Sequence, residues 1–328
     1  MPTLDFRTAI RDALDEELAR DERVVLFGED VASVQGGVFA ATPGLQERHG
    51  SERVFDTPIS ELAITGAAYG AAVNGLRPVI EIMFGDFLFL AMDSLVNQSA
   101  KFFYLSGGRG SVPLVVRSAV GAGGRFGAIH SQSPIGWFHN VPGIKVAAPS
   151  SPSEAKALLK AAIRDDNPVL FLEHKRLYGV KEEVDGDVPD VPLGRARVAR
   201  EGADVTLVSV MKGVGDCLQA AEALAADGIS AEVLDLRTLR PMDTDAILAS
   251  LAKTHRLAVV EEGPANGGWG GEVLAVAAEH GLHDVDDVWR LATPEHPIPY
   301  SPPLEDAFLP GVEAIVASVR SRLGAASH

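Results

Sequence analysis

Residues 60–84 read SELAITGAAYGAAVNGLRPVIEIMF and join two patterns in one stretch. The segment 60–75 is rich in alanine and glycine, which predicts a closely packed helix. The run RPVIEIMF at 77–84 is apolar and partly β-branched, which predicts a buried strand. A helix followed by a strand that is apolar on both faces is typical of a parallel sheet covered by helices.

The same alternation continues in both directions along the chain. Upstream and downstream, the predicted helices are FRTAIRDALDEELARD (6–21), DFLFLAMDSLVNQSAKFFYL (86–105) and SPSEAKALLKAAIRDD (151–166), and the predicted strands are VVLFGED (24–30), VPLVVRSAV (112–120) and PVLFLEH (168–174). In the third helix, Ser151, Pro152 and Glu154 stand as N-cap, N1 and N3, the signature of a capping box. The fold class is therefore α/β.

The pattern stops between about 179 and 195, where GVKEEVDGDVPDVPLG is acidic and contains glycine and proline but no apolar periodicity. A second series of strands and helices follows, ending in a helix from about Val312 to Leu323. We predict a first domain at 1–185, a linker at 186–196 and a second domain at 197–328. Each domain should be a largely parallel sheet flanked by helices.

The composition excludes several classes of protein. The chain has 328 residues, a net charge of −16 and one cysteine, Cys217. Such a charge disfavours nucleic-acid binding, and the lone cysteine excludes an intramolecular disulfide and favours a reducing compartment. With no signal-like or membrane-spanning segment in the sequence, we expect a cytoplasmic protein. Residues 257–319 carry eleven acidic side chains against one basic one, Arg290, which predicts either a solubilising surface or a docking face for a basic partner.

The loop GAGGRFGAIHSQS (121–133) invites a dinucleotide-binding interpretation, which fails. Phe126 stands where the third glycine of GxGxxG is required, and no helix pattern opens there. The sequence also lacks a P-loop, a GxSxG elbow and the usual metal-ligand spacings. The residues alone thus predict an α/β enzyme with a glycine-rich loop that carries His130.

Three stretches narrow this prediction: DTPISELAITGAAYGAAVNGLRP (56–78), GAIHSQSP (127–134) and PGIKVAAPSSPSEAK (142–156). They resemble the beta subunits of thiamine diphosphate-dependent 2-oxo acid dehydrogenases of the pyruvate, branched-chain and acetoin types. AAIRDDNPVLFLE (161–173) and SAEVLDLRTLRPMD (230–243) match the same family, in order and over nearly the whole chain. The resemblance implies a transketolase-like fold, with a thiamine pyrimidine-binding domain followed by a transketolase C-terminal-like domain.

The resemblance also assigns roles to particular residues. Glu61, in the ISE motif, corresponds to the catalytic glutamate that binds a ring nitrogen of the cofactor's aminopyrimidine. A short charge-assisted hydrogen bond from a desolvated carboxyl would activate that ring. Phe87 corresponds to the aromatic residue that stacks on the pyrimidine, Met83 to a neighbouring wall, and His130 to a catalytic histidine. Without the motif, Glu61 would be an ordinary acidic residue in the first turn of a helix, behind Ser60.

Two further features carry over from the family less directly. Backbone carbonyls that bind a structural potassium ion in family members correspond to Leu114, Ala162, Ile163, Asp165 and Asn167. The family usually has a histidine where this chain has Asn140, and His139 is adjacent. Whether His139 compensates stays open, and neither residue belongs to the predicted catalytic set.

The anchor for the cofactor's diphosphate is missing from the sequence. Thiamine enzymes hold it through magnesium with a GDG sequence and a later asparagine pair, whereas this chain has only GDV at 186–188 and no such pair. In the family that anchor lies on an alpha subunit, which implies an α2β2 heterotetramer that binds thiamine diphosphate at the interface. The resemblance further implies that a lipoyl acyltransferase core docks on the acidic C-terminal domain.

The predicted function is therefore oxidative decarboxylation of a small 2-oxo acid with acyl transfer to lipoamide. The motifs leave open whether the substrate is pyruvate, a branched-chain 2-oxo acid or, in an acetoin-cleaving complex, acetoin. A self-contained transketolase-like enzyme is disfavoured by the missing diphosphate anchor. A non-catalytic structural subunit with the same fold remains an alternative, which Glu61 and His130 both disfavour.

Overall fold

The structure is a computed structural model that describes residues 3–324. The described chain forms two compact units. The first comprises residues up to Val120 together with Phe138–Leu193, and the second comprises Gly121–Trp137 and the residues from Gly194 onward. The few residues of the two predicted domains at 1–2 and 325–328 lie outside the described part of the chain.

The first unit alternates strands and helices as the sequence pattern predicts. Its strands are β1 (Thr3–Asp5), β2 (Val24–Gly28), β3 (Val54–Asp56), β4 (Arg77–Phe84), β5 (Val115–Val120), β6 (Lys145–Ala147), β7 (Val169–His174) and β8 (Lys181–Glu183). Its helices are α1 (Phe6–Arg20), α2 (Leu45–His49), α3 (Glu61–Val73), α4 (Ala100–Leu105), α5 (Ile135–His139, which begins in the second unit) and α6 (Pro152–Arg164). Every residue of β2, β5 and β7 is buried, including the polar residues Arg117 and Ser118 of β5 and Glu173 and His174 of β7, as expected for central strands of a sheet covered on both faces.

The order of strands in this unit creates a crevice at one position. Six parallel strands run in the order β3-β2-β4-β5-β7-β6. From β2 the chain moves outward to the edge strand β3, and from β4 it moves the opposite way to β5. The switch point therefore lies between β2 and β4, and ligands of open parallel sheets bind beyond the carboxyl ends of the strands at such points.

Gly28 explains how closely β2 and β4 approach each other at this end. A Cβ on Gly28 would stand 2.6 Å from the carbonyl oxygen of Glu81 in β4. Any side chain at this position would push the two strands apart. The glycine at the end of the VVLFG run is therefore part of what keeps the crevice narrow.

Local caps explain where two of the helices begin. Asp5 accepts a hydrogen bond from the Thr8 N–H and starts α1, and the Ser151 hydroxyl accepts from the Glu154 N–H and starts α6. The predicted cap at Ser151 is confirmed. The return bond differs from a standard capping box, because the Glu154 carboxylate accepts from the hydroxyl of Ser150 instead.

The second unit repeats the architecture around its own sheet. The strands of this sheet are β9 (Arg197–Arg200), β10 (Val205–Ser209), β11 (Ala231–Asp235), β13 (Arg256–Pro264) and β14 (Asp287–Thr293), while the short β12 (Thr238–Arg240) is not part of it. The helices of the unit are α7 (Lys212–Ala225), α8 (Thr244–Thr254), α9 (Gly270–His280), α10 (Pro302–Phe308) and α11 (Val312–Gly324). The strand order is β14-β13-β10-β11-β9, parallel except for the antiparallel edge strand β9. Val205, Leu207, Val233 and Ile315 are fully buried in its core. The predicted α/β class is confirmed.

One predicted helix differs from the structure. Instead of one regular helix over 86–105, the chain forms a 3₁₀-helix at Gly85–Ala91, a π-helix at Asp93–Ser99 and the short α4. Ser99 donates its hydroxyl hydrogen bond to the Ser94 carbonyl, five residues back, which fits the wider π-helical turn. Among residues 3–324, no helix is both long enough and apolar enough to cross a lipid bilayer.

Candidate active site

Glu61 is the first residue of α3 and is nearly buried, with 7% of its surface exposed. It follows β3, whose partner β2 borders the switch point. The preceding Ser60 does not cap the helix with its side chain, because its hydroxyl donates to the Pro58 carbonyl. A simple capping arrangement therefore does not account for a buried glutamate at this position.

A second buried carboxylate, Glu29, follows the end of β2. Its pKa is raised, first by burial and then by the negative charges of Glu61, Asp30 and Glu81. Its Oε1 atom is buried and has no hydrogen-bond partner among the described residues. The charge of Glu61 thus contributes to the raised pKa of Glu29. Two carboxyl groups lie in the crevice at the end of β2.

Aromatic side chains follow β4 on the other side of the switch point. Phe87 is half-buried, and its ring meets that of Phe84 edge-to-face with centroids 6.1 Å apart. Phe84 in turn meets Phe39 edge-to-face at 5.8 Å, and the ammonium of the buried Lys175 lies 5.5 Å from the centre of the Phe84 ring. Met83 is also half-buried, at the end of the same strand. The ring of Phe87 is therefore held by its contact with Phe84, and part of its surface stays exposed.

A buried charged cluster crosses the middle of the sheet next to this crevice. Arg117 in β5 binds both oxygens of Glu173 in β7, at 2.7 and 2.9 Å, and one oxygen of Glu81 in β4 at 2.8 Å. The Tyr178 hydroxyl donates to Glu173 at 2.7 Å. Burial raises the pKa of Glu81 and only part of that rise is offset by Arg117. Burial alone would lower the pKa of Arg117, but Glu173 and Glu81 outweigh it and the net shift is upward.

His130 lies in the loop after β5 that belongs to the second unit. Its side chain is half-buried, and the adjacent Ile129 is exposed. Glu61, Met83 and Phe87 all belong to the first unit, where α3, which Glu61 begins, packs against β4 and the 3₁₀-helix that carry the other two. His139, half-buried at the end of α5, and the exposed Asn140 also belong to the first unit.

The predicted potassium ligands surround Arg77, which sequence reasoning did not single out. The Arg77 guanidinium donates to the carbonyl oxygens of Ile163 at 2.9 Å and Asp165 at 2.6 Å. The other predicted ligands are also hydrogen-bonded within the segment: the Ala162 carbonyl accepts from the Asp165 N–H, the Leu114 carbonyl accepts from the Val169 N–H, and the Asn167 N–H donates to the Asp165 carboxylate. A potassium ion would have to share oxygens with a guanidinium, and its binding stays a prediction.

The side chains of the crevice suit the pyrimidine end of thiamine diphosphate. A buried carboxylate, a second carboxylate with an unsatisfied oxygen and a supported aromatic ring suit a flat, nitrogen-containing ring. Across residues 3–324, no group of three or more histidine, cysteine, aspartate or glutamate side chains is placed to hold a metal ion. The residues of the crevice therefore fit the pyrimidine end of the cofactor, and the assignment of the magnesium and diphosphate end to an alpha subunit stays a prediction.

Comparisons with known proteins identify the family of each half of the chain. Residues 2–181 match the family model for the transketolase pyrimidine binding domain, and residues 194–315 match the transketolase C-terminal domain. The beta subunit of acetoin:2,6-dichlorophenolindophenol oxidoreductase from Bacillus subtilis (strain 168) is 45% identical over 98% of this chain and 97% of its own length. The chain belongs to the family of 2-oxo acid and acetoin dehydrogenase beta subunits. The resemblance seen in the motifs is thereby confirmed.

Other family members are equally similar to this chain. The mitochondrial pyruvate dehydrogenase E1 beta subunit of Dictyostelium discoideum is 45% identical, over 96% of this chain and 89% of its own. The 2-oxoisovalerate dehydrogenase beta subunit of B. subtilis is also 45% identical, over 98% of both chains. A solved structure titled as a split-gene transketolase, an inactive beta4 tetramer, has a TM-score of 0.80 over 97% of each chain. At 24% identity, that likeness concerns the fold alone.

Sequence reasoning missed two residues: Glu29, which the structure adds to the crevice, and Arg77, which it adds to the predicted potassium-binding segment. Glu29 had a signal in the sequence, since it directly follows a predicted buried strand in FGED. The pattern could not reveal that this strand borders the switch point. Arg77 had no usable signal, because its partners are mainly backbone carbonyls, and only the fold shows which carbonyls it reaches.

Proposed function

We propose that this chain, with an alpha subunit, catalyses the oxidative decarboxylation of pyruvate or a branched-chain 2-oxo acid and transfers the acyl group to lipoamide. The observation that carries the proposal is the buried Glu61 beside the switch point of the first unit, in a chain that belongs to this family. Thiamine diphosphate, when bound, supplies the electron sink for decarboxylation.

The roles of the side chains follow from their environment. Glu61 would hold a proton in a hydrogen bond to the pyrimidine ring, in a site whose burial strengthens that bond. Phe87, backed by Phe84, would fix the plane of the ring, and Met83 would line its edge. His130 would move protons near the reacting carbon or orient the lipoyl thiol. Glu29 would share the desolvated crevice with Glu61.

Exposed apolar residues around Glu61 support a partner subunit at this face. Ile59 and Leu62 flank the glutamate and are 79% and 54% exposed, and Ala67 further along α3 is also exposed. Contiguous exposed apolar surface is typical of protein–protein contact sites. We propose that the alpha subunit covers this face in an α2β2 heterotetramer and holds the magnesium ion and the diphosphate.

Isolated full-length chain is expected to bind thiamine diphosphate and magnesium too weakly for calorimetry to detect at micromolar concentration. The reason is that its residues provide no anchor for the charged diphosphate end. The same titration on the chain co-expressed with its alpha subunit should give a saturable signal. Micromolar binding by the chain alone would contradict the division of the site between two subunits.

Acetoin is a second candidate substrate, because relatives named for acetoin are about as similar to this chain as the 2-oxo acid dehydrogenase subunits are. Acetoin-oxidising beta subunits of B. subtilis and Cupriavidus necator are 45% and 41% identical to this chain. A panel of pyruvate, 2-oxoisovalerate and acetoin on the co-expressed complex separates the candidates by their kcat/KM. Turnover of none of the three by a complex that binds the cofactor would contradict the proposed function.

We also propose that the acidic stretch 257–319 binds the basic docking region of an acyltransferase core. Two of its aspartates already bind arginines of this chain, Asp286 to Arg256 at 2.8 Å and Asp287 to Arg322 at 3.2 Å. Docking would therefore exchange these pairs for the partner's cations, so electrostatic attraction should contribute more to the association rate than to the affinity.

Reversing the charges of Asp284, Asp286 and Asp287 to lysine is expected to weaken core binding at low salt by roughly tenfold, because exposed pairs contribute at most about 1 kcal/mol each. It should also flatten the dependence of affinity on salt. The matched control reverses Glu201, Glu222 and Asp245, which are exposed and lie outside this stretch. Equal loss in both triple variants, or no loss in either, would refute a specific docking face.

A further inference from the structure

The loop that carries His130 has no regular secondary structure to hold its shape. Residues 121–134 form neither helix nor strand, and Gly121, Gly123, Arg125 and Gly127 all have positive φ, from 64° to 92°. A backbone hydrogen bond from the Gly121 N–H to the Gln132 carbonyl closes its base. Because backbone N–H groups left without partners are costly, the donors of such a loop need acceptors from elsewhere.

Two carboxylates of the second unit supply these acceptors. Glu262 in β13 accepts from the Ala122 N–H at 2.6 Å and from the Ser133 hydroxyl at 3.3 Å, both through Oε1. Glu305 in α10 accepts from the Gly123 N–H at 2.9 Å through Oε1 and from the Arg125 N–H at 3.3 Å through Oε2. The two glutamate side chains therefore accept hydrogen bonds from three backbone N–H groups at the start of the loop.

The placement of Glu262 joins the two sides of the loop. One carboxylate oxygen, Oε1, accepts hydrogen bonds from the Ala122 N–H, which precedes His130 in the chain, and from the Ser133 hydroxyl, which follows it. The neighbouring Glu261 instead binds the N–H of Gly270 at the start of α9. Adjacent residues of one strand point to opposite faces, so one glutamate serves the unit's own helix and the other serves the loop.

Glu305 is fully buried, with 0% of its surface exposed, and is held by charge as well as by hydrogen bonds. The Arg125 guanidinium binds its Oε2 at 2.6 Å. A buried carboxylate persists only when its lone pairs are satisfied, and N–H donors to an ionised carboxylate make stronger bonds than neutral pairs do. Asp306, the next residue, is exposed and binds the other terminal nitrogen, Nη2, of the same guanidinium.

We infer that Glu262 and Glu305 are positioning residues for His130, whose loop they hold in the conformation that presents the imidazole. The inference rests on the proposed function for the role of His130, whereas the contacts themselves do not. Neutralising either carboxylate removes the charge that orders the loop backbone. The histidine then samples positions from which proton transfer or thiol orientation fails.

The first arm of the test measures the loop itself. Hydrogen exchange in peptides covering residues 121–134 is compared between the full-length chain and its Glu305→Gln and Glu262→Gln variants. Loop exchange should rise at least about tenfold in each variant, because charge-assisted bonds are lost. Glu261→Gln and Glu313→Gln are the controls: Glu261 is the acid next to Glu262 and binds Gly270 instead of the loop, and Glu313 is an exposed acid of α11. The exchange of the loop peptides should not change in either control. Equal loop exchange in wild type and both test variants would overturn the inference.

The second arm measures coupling to His130 in the co-expressed complex. Glu305→Gln is expected to lower kcat for acyl transfer by about tenfold to a hundredfold, since small displacements of a catalytic group have effects of this size. In a His130→Ala background the same substitution should have almost no further effect, because both act through one group. Tryptophan fluorescence during unfolding checks that each variant is folded.

The outcomes separate this inference from the proposed function. Full additivity of Glu305→Gln and His130→Ala would overturn the positioning role even if loop exchange rises. An inactive wild-type complex would refute the proposed function, and faster loop exchange alone would then mean that the carboxylates hold a loop without a catalytic group. That combination also overturns the inference as stated.

Discussion

Replacing Glu61 with glutamine is expected to reduce kcat of the co-expressed complex by at least about a hundredfold, the usual range for a lost acid–base group. Glutamine has nearly the same size and can still form a hydrogen bond to a ring. It cannot become negatively charged or exchange a proton, so the buried site keeps its shape but loses its acid–base group. Steady-state turnover of the preferred 2-oxo acid measures the effect.

Glu52→Gln serves as the matched control, because Glu52 is exposed and precedes the same helix. We expect it to leave turnover unchanged. Calorimetry should show that the Glu61→Gln complex still binds the cofactor, since the diphosphate end is held by the partner. Near-normal turnover of Glu61→Gln would instead favour a non-catalytic subunit that kept the fold.

A second readout of Glu61→Gln does not depend on turnover. The pKa of Glu29 is raised by burial and, next, by the charge of Glu61. Removing that charge should lower the pKa of Glu29 toward its ordinary value, although burial will keep it raised. Carbon-detected NMR titration of Glu29 in the full chain follows this shift. An unchanged pKa would mean that the two carboxyl groups do not interact.

The sequence predicted the central strands because they are buried on both faces. β2 is an unbroken apolar run, and β4, β5 and β7 are mostly apolar with a few buried polar or charged residues. Short, mostly apolar segments that alternate with helical patterns predict strands of a covered parallel sheet. The pairing of β1 with β8 could not be predicted from the sequence. Thr3–Asp5 meets Lys181–Glu183 in antiparallel register from opposite ends of the first unit, and three-residue strands carry no periodic signal.

The interruption of the helix over 86–105 could not be predicted from its pattern either. An aromatic and aliphatic run such as FLFLAMDSLV is apolar at every spacing, so it fits a 3₁₀-helix, a π-helix and an α-helix alike. Packing decided among them. Leu88, Ala91 and Leu95 are fully buried, and the change of helical period directs all three inward.

The candidate site was predicted where a motif marks it and missed where only contacts do. Glu61 was found through the residues around it, because a lone glutamate at a helix start is ordinary. Glu262 and Glu305 act on backbone N–H groups 140 and 182 residues away along the chain. No spacing in the sequence encodes such contacts, since any acceptor that the fold brings to the loop would satisfy the same donors.

Replacing Arg117 with methionine is expected to reduce the free energy of unfolding of the first unit by about 3–5 kcal/mol, the usual effect of removing one partner from a buried ion pair. Arg117 is almost fully buried and its guanidinium is the partner that offsets the charges of Glu81 and Glu173. Methionine fills much of the space of the arginine side chain, so lost charge and not lost volume dominates the effect.

All three tryptophans, Trp137, Trp269 and Trp289, belong to the second unit. Peptide-resolved hydrogen exchange in urea should therefore follow β4 and β5 of the first unit, while fluorescence checks that the second is unaffected. Arg11→Met is the control. It removes the partly exposed pair of Arg11 with Asp12, and such pairs contribute at most about 1 kcal/mol.

The pH dependence of the Arg117→Met variant distinguishes lost charge from poor packing. Glu81 already has a raised pKa in the folded chain, and without Arg117 the pKa of Glu81 should rise further. A carboxyl whose folded pKa is raised contributes stability below its unfolded pKa, and that contribution is lost as pH rises through the folded pKa. The difference from wild type should therefore shrink as pH is lowered toward 5 and grow toward 8. A difference that stays constant over this range would mean that the methionine packs badly, and that the loss of stability does not come from removing the charge that offsets the two carboxylates.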